Sequence, residues 1–284
     1  MKRLFIQPSA YNVYSFQKGE NPYITDTRVD EHKAKRQYTA MIEKFQHPLV
    51  FRVNTEDTNS LSDIVFSASA GISLPRLPHP LVILPSMKYP HRQGELGYLR
   101  TIFQSLKIHT VDFPQDAHAP FEGQAEMKWF HGGKKAICGY GFRATKKTFA
   151  HMKTLLHDIY PSYGLAPPEL LVVHLKSDRF YHFDLAMLEF DTTSCIVHKD
   201  AFSSKTLQDI VEFLGKDHVH VIDTEDKFCL NAVVDGPNLI THKLKDRDVK
   251  KVLETLTKKK VVETNVSQFE LSGGSVRCMS MDIF

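Results

Sequence analysis

One cysteine in the sequence has surroundings that suit nucleophilic chemistry. Cys278 follows the glycine pair 273–274, where a backbone without Cβ atoms can approach a ligand closely. Its neighbour Arg277 could lower the thiol pKa, and the thiolate is the reactive form of cysteine. In an extended chain, Val276, Cys278 and Ser280 would share one face. A buried structural cysteine is the alternative interpretation.

Two further segments carry titratable side chains at spacings that suit proton transfer or cation binding. In residues 181–187, His182 and Asp184 share one face of a predicted strand, and a histidine beside a carboxylate can act as a general acid and base. Glu122 and Glu126 follow a proline-containing turn and could bind a cationic ligand. A hydrogen-bonded core histidine and ordinary surface carboxylates are the alternatives.

Other reactive motifs are missing from the sequence. The glycine pairs 132–133 and 273–274 belong neither to a phosphate-binding GxxxxGK[ST] string nor to a dinucleotide-binding GxGxxG string. Neither HExxH nor GxSxG occurs. No histidine pair stands at metal-ligand spacing beside a cysteine or a second ligand cluster. The sequence therefore offers none of these motifs for binding a nucleotide or a metal ion.

Composition and charge narrow the range of partners. The 284 residues include 36 Lys and Arg against 33 Asp and Glu, a formal net charge of +3 that is too small to indicate a nucleic-acid partner. No apolar stretch approaches the roughly 20 residues that cross a membrane, and the first residues lack the apolar core of a signal peptide. Four widely spaced cysteines form no CxxC pair. The sequence predicts a cytoplasmic protein with a small-molecule partner, and a homodimer remains open.

Predicted helices and strands alternate along the whole chain. Amphipathic stretches predict five helices, at residues 31–45, 94–106, 146–160, 203–214 and 246–256. Runs rich in β-branched and aromatic residues predict strands, at residues 4–7, 49–53, 63–67, 81–84, 108–113, 127–130, 136–140, 170–175, 181–190, 195–198, 218–222, 228–234, 239–244, 261–266 and 276–283. Most helices follow a pair of strands and precede a single strand, which suggests a repeated unit.

The repeat favours an α/β protein in which five units form a ring, with the sheets inside and the helices outside. The last predicted strand, 276–283, has no helix after it, and we predict that it pairs with residues 4–7 so that the two termini complete one unit. No Ser-, Gly- or Pro-rich linker divides the chain, so residues 1–284 are predicted to form a single catalytic domain. An ordinary two-layer α/β domain is the alternative fold.

Taken together and in order, the motifs resemble those of the guanidine-modifying (pentein) superfamily. The resemblance runs from about Asp63 to the end of the chain and is carried by Phe-Glu-Gly at 121–123, Tyr-His-x-Asp at 181–184, Asn-Ala-Val at 231–233 and Gly-Gly-x-Val-x-Cys at 273–278. It is strongest for the branch of amidinotransferases, dimethylarginine dimethylaminohydrolases and arginine deiminase. The resemblance implies a pseudo-fivefold α/β propeller of five ββαβ units, the pentein fold.

The resemblance also implies a role for each motif residue. Cys278 would attack the guanidinium carbon and form an amidino-thioether, without a metal or organic cofactor. His182 would protonate the leaving amine and then activate the second nucleophile. Glu122 would hold guanidinium nitrogens, and Asp184 matches the aspartate of the family's His-x-Asp motif.

Five more residues follow from the resemblance as substrate-binding candidates. Asp63 matches an acidic residue that contacts substrate, and Arg92 and Arg143 stand where related enzymes place arginines that clamp an α-carboxylate. Surface salt bridges are the alternative for both arginines. Ser69 stands where the family usually has Asp or Asn, which weakens the case for free arginine as substrate. Glu126 serves as the second acidic residue of the Glu-Gly-Gly-Asp stretch only if one residue is inserted before it.

These departures leave three functions open. The first is a cysteine-dependent hydrolase of arginine or a substituted arginine, similar to dimethylarginine dimethylaminohydrolase. The second is an amidinotransferase, in which an amine replaces water, and the choice between them depends on how dry the closed site is. The third is a non-catalytic binding protein that keeps the fold.

Overall fold

The computed structural model describes residues 2–24, 28–54 and 59–284. The helices in these residues are α1 (Glu31–Ile42), α2 (Pro90–Gln93), α3 (Glu95–Ser105), α4 (Lys146–Ser162), α5 (Ser204–Leu214), α6 (Arg247–Thr257) and α7 (Ser267–Glu270). The strands are β1 (Lys2–Pro8), β2 (Pro48–Val53), β3 (Ile72–Ser73), β4 (Leu81–Leu84), β5 (His109–Asp112), β6 (Met127–Phe130), β7 (Lys135–Tyr140), β8 (Glu169–His174), β9 (Met187–Glu189), β10 (Cys195–His198), β11 (Val219–Ile222), β12 (Val233–Asp235), β13 (Asn238–His242), β14 (Lys260–Thr264) and β15 (Met281–Ile283). The five predicted helices are confirmed as α1, α3, α4, α5 and α6.

The strands form five three-stranded sheets that share one pattern. Their strand orders are β15-β1-β2, β3-β4-β5, β6-β7-β8, β9-β10-β11 and β12-β13-β14. In each sheet the central strand pairs antiparallel with the first and parallel with the third. A helix connects the two parallel strands, because parallel neighbours need a long crossover. The predicted repeat of two strands, a helix and a strand is therefore confirmed.

One of the five units is assembled from both ends of the chain. Strand β15 pairs antiparallel with β1, with Lys2 opposite Ile283 and Leu4 opposite Met281. Strand β1 continues through α1 into the parallel strand β2. The predicted pairing of the two termini is confirmed.

The helices begin where the sequence offers an N-cap. The side chains of Asp30, Thr145 and Ser203 accept hydrogen bonds from backbone N–H groups in the first turns of α1, α4 and α5. Asp246 does the same for α6. Such caps satisfy N–H groups that have no partner inside the helix. In the described ranges, every helix is too short or too polar to cross a bilayer.

Four of the predicted strands are wrong over most or all of their length. Residues 63–67 lie in two 3₁₀ turns, Asn59–Val65 and Ser67–Ala70, and residues 181–186 include the 3₁₀ turn Phe183–Leu185. Only Val233–Asp235 and Met281–Ile283 are extended in the segments 228–234 and 276–283. These segments are apolar because they are buried on all sides, and a short apolar run does not specify a strand.

The segments that form turns where strands were predicted share one position in the repeat. Tight turns at 67–70, 123–125, 183–185, 228–231 and 273–280 each precede the first strand of a sheet, β3, β6, β9, β12 and β15 respectively. Ser69, Asp184 and Cys278 lie in these turns, and Glu122, Glu126 and His182 directly adjoin them. The sheets therefore act as rigid supports for five turns.

We predict that one of these turns tolerates no side chain at its glycine. Gly123 has φ +64°, and a Cβ there would lie 2.6 Å from the Gly71 carbonyl oxygen. Gly132 has a similar φ of +62° but open space around it. Gly132→Ala should cost about 1–2 kcal/mol from backbone strain, and Gly123→Ala about 2–5 kcal/mol because steric overlap adds to the strain.

Urea unfolding of the two variants measures the difference. Since both positions carry the same left-handed backbone, the contrast between them isolates the steric contribution. Equal losses of unfolding free energy would contradict the close packing of Gly123.

Candidate active site

A narrow cavity lies among the turns that precede the first strands. Its free volume is about 30 Å³, roughly the volume that one water molecule occupies in the liquid. Six of the predicted site residues line it, which are Cys278, His182, Asp63, Ser69, Arg92 and Arg143. The other three, Glu122, Glu126 and Asp184, are buried, and Glu122 and Asp184 bond directly to residues of this lining.

The thiol of Cys278 is buried and hydrogen-bonded. It donates to Oδ2 of Asp184 at 3.3 Å and accepts from Nδ2 of Asn231 at 3.1 Å. Its backbone N–H donates to Oδ1 of Asn231 at 3.2 Å. Burial and the Asp184 carboxylate raise the pKa of the Cys278 thiol well above its usual value. In the empty site this cysteine is therefore a neutral thiol.

Asn231 is the residue that the sequence analysis left out of the site. It holds both the backbone and the sulfur of Cys278, although its position in the turn before β12 is 47 residues away in sequence. The Asn-Ala-Val motif at 231–233 was the available signal. Its amide offers donors and an acceptor together, which suits it to orient a cysteine.

The imidazole of His182 is held by Glu122. Its Nε2–H donates to Oε2 of Glu122 at 2.7 Å, and Oε1 of Glu126 lies 3.7 Å from the same nitrogen. Burial lowers the pKa of His182, and the hydrogen bond and charge of Glu122 offset part of that effect. Asp184, which the sequence placed on the same face as His182, instead accepts a hydrogen bond from Cys278.

Glu122 accepts hydrogen bonds from His182, from Arg143 and from the backbone N–H of Lys88, which leaves little of it for a substrate. Besides His182, Arg143 donates to both carboxylate oxygens from Nη1, at 3.2 and 3.0 Å. Although burial acts to raise it, the Arg143 guanidinium and the His182 hydrogen bond hold the pKa of Glu122 well below its usual range. The structure therefore gives Glu122 a positioning task where the resemblance implied a contact with guanidinium.

Glu126 and Asp184 provide carboxylate oxygens that could accept from a cation. Neither oxygen of Glu126 has a hydrogen-bond partner among the described residues, and the same is true of Oδ1 of Asp184. Both side chains are buried. Burial, followed by the charge of Glu122, raises the pKa of Glu126 well above its usual value. Burying a carboxylate without a hydrogen-bond partner costs free energy, and a ligand that donates hydrogen bonds to it would reduce that cost.

Arginines and carboxylates also line the other end of the cavity. Arg92 donates to Glu95 from Nε and Nη2, at 2.8 and 3.0 Å, and to the backbone oxygen of Asp63. Oδ2 of Asp63 accepts from Gln17, while its Oδ1 has no partner in the described part of the chain. Burial raises the pKa of the neighbouring Glu20 to about 7.

Arg277 behaves differently from the sequence-based expectation, whereas Gly274 lines the catalytic cavity and close approach of a ligand to the glycine pair stays a prediction. A Cβ at Gly274 would lie 2.0 Å from the ring of Phe66, so this glycine is required by packing. Arg277 donates to Asp282 and Glu189 on the side away from the thiol. Its expected effect on the thiol is wrong, because the pKa of Cys278 is raised.

Two groups of side chains have atoms close enough to hold a metal ion. Glu122, Glu126 and His182 place ligand atoms within 4.8 Å of one another, and so do Glu20, Asp63 and His91. In the first group the Arg143 guanidinium already bonds to Glu122, and its charge opposes a second cation. The expectation of a metal-free reaction thus stays a prediction.

The arrangement as a whole suits attack by a thiol on a bound cation. A nucleophile, a histidine held by a carboxylate, and two carboxylates with free oxygens meet within one buried region. A planar cation with several N–H donors matches those oxygens. Its charge would also favour the thiolate over the thiol.

The chain matches a family of known enzymes over nearly its whole length. The sequence profile described as "N,N dimethylarginine dimethylhydrolase, eukaryotic" matches residues 15–284. An uncharacterized protein of Caenorhabditis elegans is 24% identical over 280 residues, which are 98% of this chain and 92% of that protein. The N(G),N(G)-dimethylarginine dimethylaminohydrolase of Mycobacterium tuberculosis is 25% identical over 230 residues, 80% of this chain and 68% of that one.

Arginine dihydrolases of cyanobacteria are also similar. The chain is 26% identical over 223 residues to the bifunctional arginine dihydrolase/ornithine cyclodeaminase ArgZ of Synechocystis, covering 78% of this chain but only 29% of ArgZ. The solved N-terminal domain of ArgZ, covalently bound to a reaction intermediate, superposes with a TM-score of 0.83 at 22% identity. That superposition covers 99% of this chain and 96% of the domain, and it supports the mixed α/β fold.

We predict that Asp184→Asn makes Cys278 more acidic in the free protein. The Asp184 carboxylate raises the thiol pKa through its charge and by accepting the S–H hydrogen bond. An amide removes the charge and can donate to the thiolate, so the pKa should fall by about one unit or more. The pH dependence of iodoacetamide alkylation, read at Cys278 by peptide mass spectrometry, measures this.

Glu126→Gln is the matched control for this experiment. It removes a buried carboxylate of the same region that makes no hydrogen bond to the sulfur, so the alkylation profile should stay close to that of the unmodified chain. An unchanged profile in Asp184→Asn would show that Asp184 does not govern the thiol.

Proposed function

The chain belongs to the eukaryotic N,N-dimethylarginine dimethylhydrolase family, and we propose that it is a cysteine-dependent hydrolase of the guanidine group of arginine or a methylated arginine. The observation that carries the proposal is a set of three buried carboxylate oxygens, both of Glu126 and Oδ1 of Asp184, in the same region as the Cys278 thiol. None of the three has a hydrogen-bond partner among the described residues. They form an incomplete cation site at the nucleophile.

The first chemical step forms a covalent bond between Cys278 and the guanidinium carbon. As the guanidinium cation binds, its charge lowers the thiol pKa that burial and Asp184 had raised. The thiol proton passes to His182, and the sulfur attacks the carbon. The imidazolium then gives that proton to the departing amine, so the proton that leaves Cys278 is the one the amine receives.

The second step hydrolyses the intermediate. His182, neutral again and held by Glu122, takes a proton from water while the oxygen attacks the carbon bound to sulfur. The C–S bond breaks, the thiolate leaves and recovers a proton, and the product carries a urea group. Dividing the displacement into two steps suits a guanidinium, whose delocalised charge makes its carbon a poor electrophile.

The far end of the cavity supports an amino acid as substrate. Arg92 donates to Glu95 and Asp63 from Nε and Nη2, which leaves its Nη1 for a carboxylate of the substrate. The free oxygen of Asp63 and the carboxyl of Glu20 offer acceptors to an ammonium group. Arg143 is held by Glu122 and by Glu20, so we assign it to positioning first and to substrate contact second.

The proposal includes the arrangement of the whole chain. Five sheets with the same strand order and the same helical crossover support a pseudo-fivefold α/β propeller. We propose that residues 1–284 form a single domain of this kind, because the unit built from both termini ties the two ends together. A reducing cytoplasmic compartment is part of the proposal, since oxidation of Cys278 would abolish the nucleophile.

We predict turnover of N(G),N(G)-dimethylarginine or arginine that depends on Cys278. The expected products of the methylated substrate are citrulline and dimethylamine, measured by mass spectrometry. Cys278→Ser should lower the rate at least a thousandfold with the fold intact, because a neutral hydroxyl is a far weaker nucleophile than a thiolate. Circular dichroism and the melting temperature serve as the fold control.

Three outcomes would change the conclusion. Transfer of the amidine to an added amine such as glycine, in preference to water, would identify an amidinotransferase. Absence of both turnover and a covalent adduct on Cys278 in the intact mass would identify a binding protein. Activity retained in Cys278→Ser would assign the nucleophile to another residue.

The pH dependence should depend on Glu122. Its charge and hydrogen bond raise the pKa of His182 against the lowering effect of burial, so Glu122→Gln should lower that pKa further. Because His182 must be neutral in the free protein to accept the thiol proton, the acid limb of kcat/KM should move to lower pH, by about one unit. Glu126→Gln is the matched control, since Oε1 of Glu126 lies 3.7 Å from the same nitrogen of His182 without a hydrogen bond to it. A limb that moves equally in both variants would contradict the pairing of Glu122 with His182.

A further inference from the structure

A second cavity, of about 480 Å³, lies behind the catalytic turns. Arg277 and Gln124 line it, whereas their sequence neighbours Cys278 and Ala125 line the catalytic cavity. The same two turns therefore separate the two spaces. Its volume is in the range of small-molecule sites, and no step of the proposed reaction uses it.

The floor of this cavity is a buried chain of ion pairs. Arg3 donates from Nε to Asp282 at 2.7 Å, and Arg277 donates from Nη1 to the other oxygen of Asp282 at 2.9 Å. Arg277 also donates from Nη2 to Glu189 at 2.8 Å, and Lys128 lies 3.0 Å from the second oxygen of Glu189. Buried charges are retained only when such partners are present.

Once these ion pairs are formed, the floor has more unused N–H donors than unused carboxylate acceptors. All four carboxylate oxygens of Asp282 and Glu189 already lie against a cationic group. A guanidinium has five N–H groups; Arg277 uses two of them, and its buried Nε has no partner among the described residues. A ligand that completes the floor must therefore bring acceptor oxygens.

The walls of the cavity are apolar and aromatic. Trp129, Phe190 and Val233 line them, and Trp129 uses its indole N–H on the backbone of Ser73. The walls can therefore make apolar contacts with a ligand but form few hydrogen bonds to it. Asp191 at the lining, together with the floor carboxylates, repels a doubly charged anion such as a phosphate more than a singly charged one.

We propose that this cavity binds a small amphiphilic carboxylate. Its apolar body packs against Trp129 and Phe190, and its carboxylate accepts from the N–H groups of Arg277 that Asp282 and Glu189 leave free. Arg3 already donates from all three of its nitrogens, to Asp282, Asp235 and the backbone oxygen of Val234. The planar fork of a guanidinium suits such a two-oxygen acceptor. The site is separate from the catalytic cavity, and the inference stands whether or not the chain hydrolyses a guanidine.

The single tryptophan of the chain makes the site measurable. Trp129 lines the cavity and is the only Trp in 284 residues, so quenching of its fluorescence reports occupancy directly. The probe is 2-naphthoate, titrated into the full chain and followed in parallel by calorimetry. We expect saturable binding at one site, and at least tenfold weaker binding of the neutral 2-naphthamide.

A matched pair of variants tests the location and the charge together. Gly132 lines the cavity with φ +62° and open space around it, a backbone that Asn and Asp both tolerate. Gly132→Asp places a negative charge there and should weaken binding of 2-naphthoate at least threefold relative to the isosteric Gly132→Asn. Alkylation of Cys278 should leave the affinity unchanged.

Each alternative result overturns the proposal. Absence of saturable quenching, equal affinity for the amide, or equal affinity in the two Gly132 variants would show that no carboxylate site exists here. Displacement of the probe by N(G),N(G)-dimethylarginine, or loss of binding on alkylation of Cys278, would place the probe in the catalytic cavity instead.

Discussion

The site depends on the fully buried carboxylate of Glu122, which accepts hydrogen bonds from both His182 and Arg143. A buried carboxylate that loses such partners costs several kcal/mol, so Glu122 stays charged only as part of this group. In return it fixes the imidazole and the guanidinium in one geometry. The left-handed backbone of Gly123, packed against the turn 68–71, sets where that carboxylate can lie.

The repeat explains why such distant residues meet. Each sheet presents the turn before its first strand to the same region, and these turns bring Glu122, His182, Asn231 and Cys278 together across more than half of the chain. Asn231 connects two faces of this assembly, because its Oδ1 accepts from the N–H groups of both Arg277 and Cys278.

The sequence predicts the scaffold better than the turns that carry the chemistry. Helix periodicity is a local signal, and it predicted the five long helices to within three residues. The runs around His182 and Cys278 are apolar because they are buried, and their turns depend on contacts such as the Asn231 hydrogen bonds that no local pattern encodes. The motif residues were found, but the assignment of Glu122 to His182 required the fold.

The cysteines show why chemistry concentrates at one of them. Cys138, Cys195, Cys229 and Cys278 are all buried, and burial raises the pKa of each thiol. Of the four, Cys278 is the one that lines the catalytic cavity, and Asp184, which accepts from its sulfur, has a second oxygen free for a cation. Asp184 therefore has two effects: its charge keeps the Cys278 thiol neutral, and its free oxygen helps to bind the cation that favours the thiolate. The reactivity of Cys278 therefore depends on whether a cation is bound in the site. The thiolate forms when a bound cation is present to be attacked, and otherwise the buried thiol stays unreactive.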